Sequence, residues 1–146
     1  MTLTVSAVVG EAEGIRSFEL RDPQGACLPA FDAGAHVLVS VALPDGRTAQ
    51  RPYSLLGDPE DRHRYRIAVH RADTGRGGSR HLHEHVAAGS QLEVAPPRNT
   101  FPLHEAPHTI LVAGGIGITP VLSMVRTLAR HGRSYDVHYA ARTRAR

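Results

Sequence analysis

Lysine and tryptophan are absent from this 146-residue sequence, and cysteine occurs once. All 17 basic residues are therefore arginine, which reads mainly as a signature of genome composition and makes any single Arg weak evidence of function. One cysteine, Cys27, excludes an internal disulfide and any four-cysteine zinc or iron–sulfur site within the chain. With no Trp, an aromatic ring placed at a ligand must come from four Tyr or three Phe. The chain has no apolar run long enough to span a bilayer. Its first twenty residues have no basic segment followed by an apolar run and a small-residue cleavage site. These absences point to the cytoplasm and away from a membrane. The calculated pI near 9.6 does not by itself imply nucleic acid, because the arginines are scattered and not interleaved with aromatics. An anionic small ligand or an acidic protein partner suits that charge as well.

The remaining composition, 41% hydrophobic and 21% charged, is that of a folded protein. The length suits one domain, or one small domain with part of another. Through about residue 103 the pattern is of short strands and turns. Leu3 to Val9 and Ile15 to Leu20 alternate roughly, and His36 to Leu43 is apolar and β-branched. Pro44-Asp45-Gly46 then marks a turn, Thr48 to Leu55 returns, and Tyr65 to His70 and Gln91 to Ala95 add further strands. A short helix is expected from Ser79, as N-cap, to Val86, stopped before Gly89. This spacing predicts a closed antiparallel barrel. Beyond Leu103 the pattern changes to a buried strand at Thr109 to Ala113, then a helix from Thr119 (as N-cap before Pro120) to about His131. A second strand follows at Tyr135 to Ala140. That is one β-α-β unit with parallel strands.

Three stretches combine residue types that could carry chemistry. In Arg51-Pro52-Tyr53-Ser54-Leu55 the guanidinium fork can pair with phosphate, the phenol can stack on a flat ring, and the hydroxyl can donate to a ring heteroatom. An exposed Arg beside a packed Tyr on an ordinary strand explains the same residues. In Gly75-Arg76-Gly77-Gly78-Ser79 the glycines let backbone N–H groups approach an anion at the start of a helix; a capped helix after a flexible turn is the competing reading. The element lacks the Gly-Lys-Ser/Thr of a Walker A loop. The histidines that follow raise a metal reading. His81 and His85 share a helix face while His83 points elsewhere, and no third ligand is evident, so no metal is assigned. In Gly114-Gly115-Ile116-Gly117-Ile118-Thr119-Pro120 a glycine-rich turn joins a parallel strand to a helix. It does so without the Gly-x-Gly-x-x-Gly spacing of the dinucleotide fingerprint.

Taken in order, Arg51 to Leu55, Gly75 to Ser79, Pro97 to Leu103 and Ala113 to Pro120, with Gly34-Ala35-His36 upstream, resemble the ferredoxin–NADP reductase superfamily. The resemblance is nearest to the reductase components of phthalate dioxygenase and vanillate O-demethylase systems, and it covers essentially the whole chain. It implies a mainly β fold, in which a six-stranded antiparallel Greek-key flavin-binding barrel (residues 1–103) precedes the first β-α-β unit of an α/β nicotinamide-nucleotide domain (residues 104–146). By the resemblance, Arg51, Tyr53 and Ser54, with Pro52 between them, contact the flavin phosphate, ring and N5 edge. Ala68, Val69 and His70 run beside the ring. Gly75, Gly77, Gly78 and Ser79 hold the phosphate. Gly114, Gly115, Ile116, Gly117 and Thr119 face the nicotinamide, with Ser54 and Thr119 nearest the reacting edge.

The cofactor implied is FMN, with FAD also compatible. NAD(P)H is implied as the substrate of the complete protein, and an iron–sulfur domain or oxygenase component as the electron acceptor. The family pattern runs on beyond Arg146 into the rest of the nicotinamide domain and a four-cysteine ferredoxin domain. The expectation is therefore a flavin module, truncated, engineered or split, that self-associates through the uncovered sheet at Ile110 to Val112 and Val137 to Tyr139. A second reading is a catalytically silent flavin-binding or partner-docking barrel.

Overall fold

The computed structural model describes residues 1–141; the closing arginine-rich segment, 142–146, lies outside the described residues. The chain is mainly β, a curled antiparallel arrangement with few helices. Strands β1 (Thr2–Ala12), β2 (Ile15–Arg21), β3 (His36–Ala42), β4 (Thr48–Ser54) and β5 (Tyr65–His70) precede helix α1 (Gly78–His85) and the short β6 (Gln91–Glu93). Strand β7 (His108–Gly114), a 3-10 turn at Gly115–Gly117, helix α2 (Ile118–Arg130) and β8 (Ser134–Ala140) follow.

One sheet runs β5-β2-β1-β6, and β3 with β4 forms a separate hairpin. Isolated antiparallel bridges at Val39–Val94 and Leu55–Ile67 tie the hairpin to both edges of that sheet. Period-2 alternation decides the register. In β3, Val37, Val39 and Val41 are buried, and the residues between them are not. The valines meet Phe18, Leu20, Tyr65, Ile67 and Leu82 in the larger apolar core. Within it the Phe31 and Tyr65 rings meet edge to face at 5.7 Å and 83°. Burial raises the Tyr65 phenol to about 12, against a small opposing effect of Arg62. The turn at Pro44-Asp45-Gly46 forms as the sequence predicts, with Gly46 at φ +81° and its N–H on Leu43 O at 3.0 Å.

Strands β7 and β8 are parallel, with Leu111 beside Val137 and Val112 beside His138. Leu111, Ala113, Val121, Met124 and Leu128 form a second core, which Ala33 joins from the β2–β3 connection. That connection is held tightly. The Gly34 N–H donates to Ser123 Oγ at 3.2 Å, and Asn99 Nδ2 donates to Ala33 O at 3.1 Å. Arg130 at the end of α2 pairs with Asp58 and, at 3.7 Å, with Glu60.

Both helix starts differ from the sequence expectation. Helix α1 begins at Gly78 with Gly77 as N-cap, left-handed at φ 89°. Ser79 is already inside the helix, and its Oγ accepts from the Ala72 N–H at 3.1 Å. Helix α2 begins at Ile118 with Gly117 as N-cap. Thr119 there is a buried first-turn residue that donates to Ile116 O at 3.0 Å. In both cases the hydroxyl found a partner in the preceding loop, and a glycine took the entry position. No helix in the described residues is long and apolar enough to cross a membrane.

Candidate functional site at the sheet and helix junction

The cradle forms where β4 meets the first turn of α1. In the β3–β4 register Arg51 lies opposite Val39 and Tyr53 opposite Val37, so alternation sends both side chains to one side of the hairpin. The backbone of Gly78 sits against them. A Cβ added there would lie 3.0 Å from Val41 Cγ2, 3.2 Å from Arg51 Cγ and 3.4 Å from Arg51 Nε. Glycine is thus what allows the Arg51 side chain to lie along the helix start. Gly77 is constrained as well, since its positive φ is joined by Pro44 Cδ at 2.6 Å from any added Cβ.

No side chain caps α1, and its first turn holds no acidic residue. Its leading N–H groups and positive dipole end are left for an anion, beside the Arg51 guanidinium. Because Ser79 Oγ is used as an acceptor, its proton remains free to donate toward the same place. Arg80 Nη2 donates to Asp73 O at 2.8 Å, folding the glycine loop back on the helix. Gly75, exposed, turns against Ala72. These donors fit a phosphate.

Tyr53 is half-buried against the larger core. Burial raises its phenol, only partly countered by the Arg51 charge, so it stays neutral across the physiological range. Pro52 between them is exposed, and Ser54 ends β4 opposite His36.

A cavity of about 340 Å³ lies between the curled antiparallel sheet and the 3-10 turn with α2. Ala68 helps form its wall on the β5 side, and Gly115, Ile116, Ile118 and Thr119 supply the facing wall. Ala68 and Val69 are buried on β5, and His70 ends that strand exposed. The structure therefore brings Ala68 together with Gly115, Ile116 and Thr119. It does not place Ser54 in that lining, and Gly114 and Gly117 stand just outside it.

The sequence reading missed several lining residues. Glu11 of β1 pairs with Arg66 of β5 at 3.2 Å on the sheet side. Leu122 and Arg126 continue the Thr119 face of α2 at helical spacing; that spacing was the available signal. Arg126 makes no ion pair among the described residues. Tyr139 closes the far end, donating to Gly115 O at 3.2 Å.

The histidines of α1 take separate roles. The His81 and His85 rings lie side by side, tilted by 40° with centroids 5.3 Å apart. His83 is buried and bonds to the Val69 carbonyl at 2.9 Å. Among the described residues no cluster of three metal-ligating side chains occurs.

No protein-family model matches the chain. Individual relatives do. Phthalate dioxygenase reductase of Burkholderia cepacia is 52% identical over 133 residues, 90% of this chain and 40% of that protein. Tetrachlorobenzoquinone reductase of Sphingobium chlorophenolicum is 47% identical over 141 residues, 96% of this chain and 42% of that protein. A solved structure of phthalate dioxygenase reductase, described as a modular structure for electron transfer from pyridine nucleotides to [2Fe–2S], superposes with TM-score 0.93. Its identity is 48% over 99% of this chain and 44% of that one. The chain spans about two-fifths of the length of these relatives. At this identity and with this fold, phthalate dioxygenase reductase and related ferredoxin-reductase-type proteins are homologues of this chain.

Proposed function

We propose that this chain is the flavin-binding part of a reductase that passes electrons from NAD(P)H, through flavin, to an iron–sulfur or oxygenase partner. The observation that carries the reading is the uncapped start of α1, with Arg51 lying along Gly78 where a side chain would otherwise stand. Residues 1–103 form the flavin domain. In it β1 to β6 close as a Greek-key barrel through the Val39–Val94 and Leu55–Ile67 bridges. Residues 104–146 open the nicotinamide domain as β7, α2 and β8.

FMN is the cofactor we assign. The glycine loop of residues 75–78 provides a phosphate cradle and no aromatic platform for an adenine. When bound, the flavin supplies the two-electron to one-electron conversion that the protein cannot perform itself. Arg51, Gly77, Gly78 and Ser79 hold its phosphate, and Tyr53 covers its ring. Ala68, Val69 and His70 border the ring edge, and Ser54 donates toward it. Gly114, Gly115, Ile116, Gly117 and Thr119 orient the nicotinamide of NAD(P)H in the complete protein. The cavity between Ala68 and Thr119 is where the two rings would meet and exclude water.

Purified protein mixed with FMN should retain it in visible absorbance through gel filtration. Arg51→Ala should weaken FMN by about tenfold to a hundredfold, the loss of a charged hydrogen bond to phosphate, and Ser79→Ala by less. Unchanged FMN affinity in both variants would refute the phosphate assignment. The second reading, a catalytically silent module, finds no support among the relatives, which are named reductases and oxidoreductases.

A further inference from the structure

The His83 imidazole is used by none of the roles assigned above, yet it is buried at 9% exposure. Its Nε2 lies 2.9 Å from the backbone oxygen of Val69. A carbonyl can only accept, so Nε2 carries the proton and donates. Val69 belongs to β5 and stands directly opposite Arg16 of β2 in the sheet register. Arg16 closes the circuit, because its Nη1 donates to the His83 backbone oxygen at 2.7 Å. That oxygen is among the last four carbonyls of α1, which have no partner within the helix. A guanidinium there satisfies an orphan acceptor and complements the negative end of the dipole.

Two bonds therefore fasten the C-terminal half of α1 to β5 and β2, beside a more exposed Arg71–Glu84 ion pair at 3.1 Å, while the N–H groups of the first turn stay free. The consequence is geometric. Helix α1 is only eight residues long, about 12 Å at the usual rise, short enough to act as one rigid element. Its N-terminus rests on Arg51 and Val41. Its far end is pinned to Val69, next to Ala68 in the cavity wall. Leu82 and Val86 bury the same helix in the core, but apolar contacts are non-directional and leave its axial position loosely set.

We propose that His83 is a positioning residue for flavin: with Arg16 it fixes the distance between the phosphate cradle and the β5 strand beside the ring. A flavin reaches both places through one ribityl chain of limited length, so a cradle free to drift relative to β5 must be ordered at the cost of binding even when every contacting residue is intact. The inference rests on the flavin reading above.

The test compares His83→Leu, which fills the space without a donor, with His83→Gln, whose side-chain amide can donate to the same carbonyl. FMN affinity is read by quenching of flavin fluorescence, and the melting of flavin-free protein is followed in parallel. His83→Leu should bind FMN about tenfold more weakly, and His83→Gln should return most of that loss at a similar melting temperature. Arg16→Met should weaken FMN too, and the Arg16→Met, His83→Leu pair should cost less than the sum of the single changes. Wild-type affinity in both His83 variants, or equal weakening in both, overturns the assignment while leaving the flavin reading intact. Wild-type protein that takes up neither FMN nor FAD overturns the flavin reading and this inference with it.

Discussion

At the scale of single residues, two glycines act through what they lack, for different reasons. Gly78 leaves room for Arg51 and Val41, so Gly78→Ala presses a methyl to 3.0 Å from Val41 Cγ2, which must shift slightly, and to 3.2 Å from Arg51 Cγ, on a flexible side chain that can swing aside. The fold should survive with FMN held about tenfold more weakly, as the guanidinium leaves its position. Gly34 has no such relief. At φ +94° an added Cβ would lie 1.9 Å from the Phe101 backbone oxygen and 2.8 Å from Met124 Cε. Because the nearest obstacle is backbone, Gly34→Ala should destabilise by about 3 kcal/mol or more, read as a lowered urea midpoint. His81 supplies a pH dependence. Burial, and then the neighbouring His85, lowers its affinity for a proton in the folded state. The unfolded chain therefore binds more protons, and stability falls as pH drops below about 6.5, the ordinary histidine value, toward the folded value. His81→Gln should flatten the urea-midpoint profile in that window, and an unchanged profile would remove His81 as its source.

At the scale of elements, the sequence was most legible where one face is buried and least where loops choose their own partners. The apolar, β-branched run from His36 to Leu43 marked β3, and Pro44-Asp45-Gly46 marked its turn, because both are local consequences of side-chain shape and φ. Ser79 and Thr119 both looked like N-caps, but residue type reports only what a hydroxyl can do. Which partner it takes depends on the Ala72 N–H and the Ile116 carbonyl, brought near by tertiary folding. His83 was legible only as one of several histidines, since its burial depends on Val69, fourteen positions away. The candidate site followed the same division: Arg51 on a strand and the glycine turn before α1 could be read locally, whereas Leu122, Arg126 and Tyr139 gather only when α2 and β8 pack. Helix α2 also carries the second core through Met124, which is 2% exposed. Met124→Ala should cost about 2–4 kcal/mol, seen as a lower melting temperature. It should also loosen the Gly34 connection, because the same side chain contacts both.

At the scale of the whole molecule, β7 and β8 have only one face covered. Helix α2 packs over Leu111 and Ala113, while Ile110 and Val112 point the other way at 63% and 73% exposure. In a two-stranded parallel sheet both edges also present unpaired backbone groups. Parallel strands are ordinarily covered on both faces, so this surface is unusual for a stable element. The relatives are more than twice as long as this chain, and their additional length is one source of cover. In the 146-residue chain by itself, a second copy is the other, and two-fold pairing would bury the same residues on each protomer. Sedimentation should then show association that grows with protein concentration. Ile110→Thr with Val112→Thr should return the chain to monomer without lowering FMN affinity, because neither side chain lines the cavity or the phosphate cradle. Concentration-independent monomers of the unmodified chain would refute self-association through this face. Loss of FMN in the double variant would instead mean that the β7–β8 layer supports the flavin site across the second core.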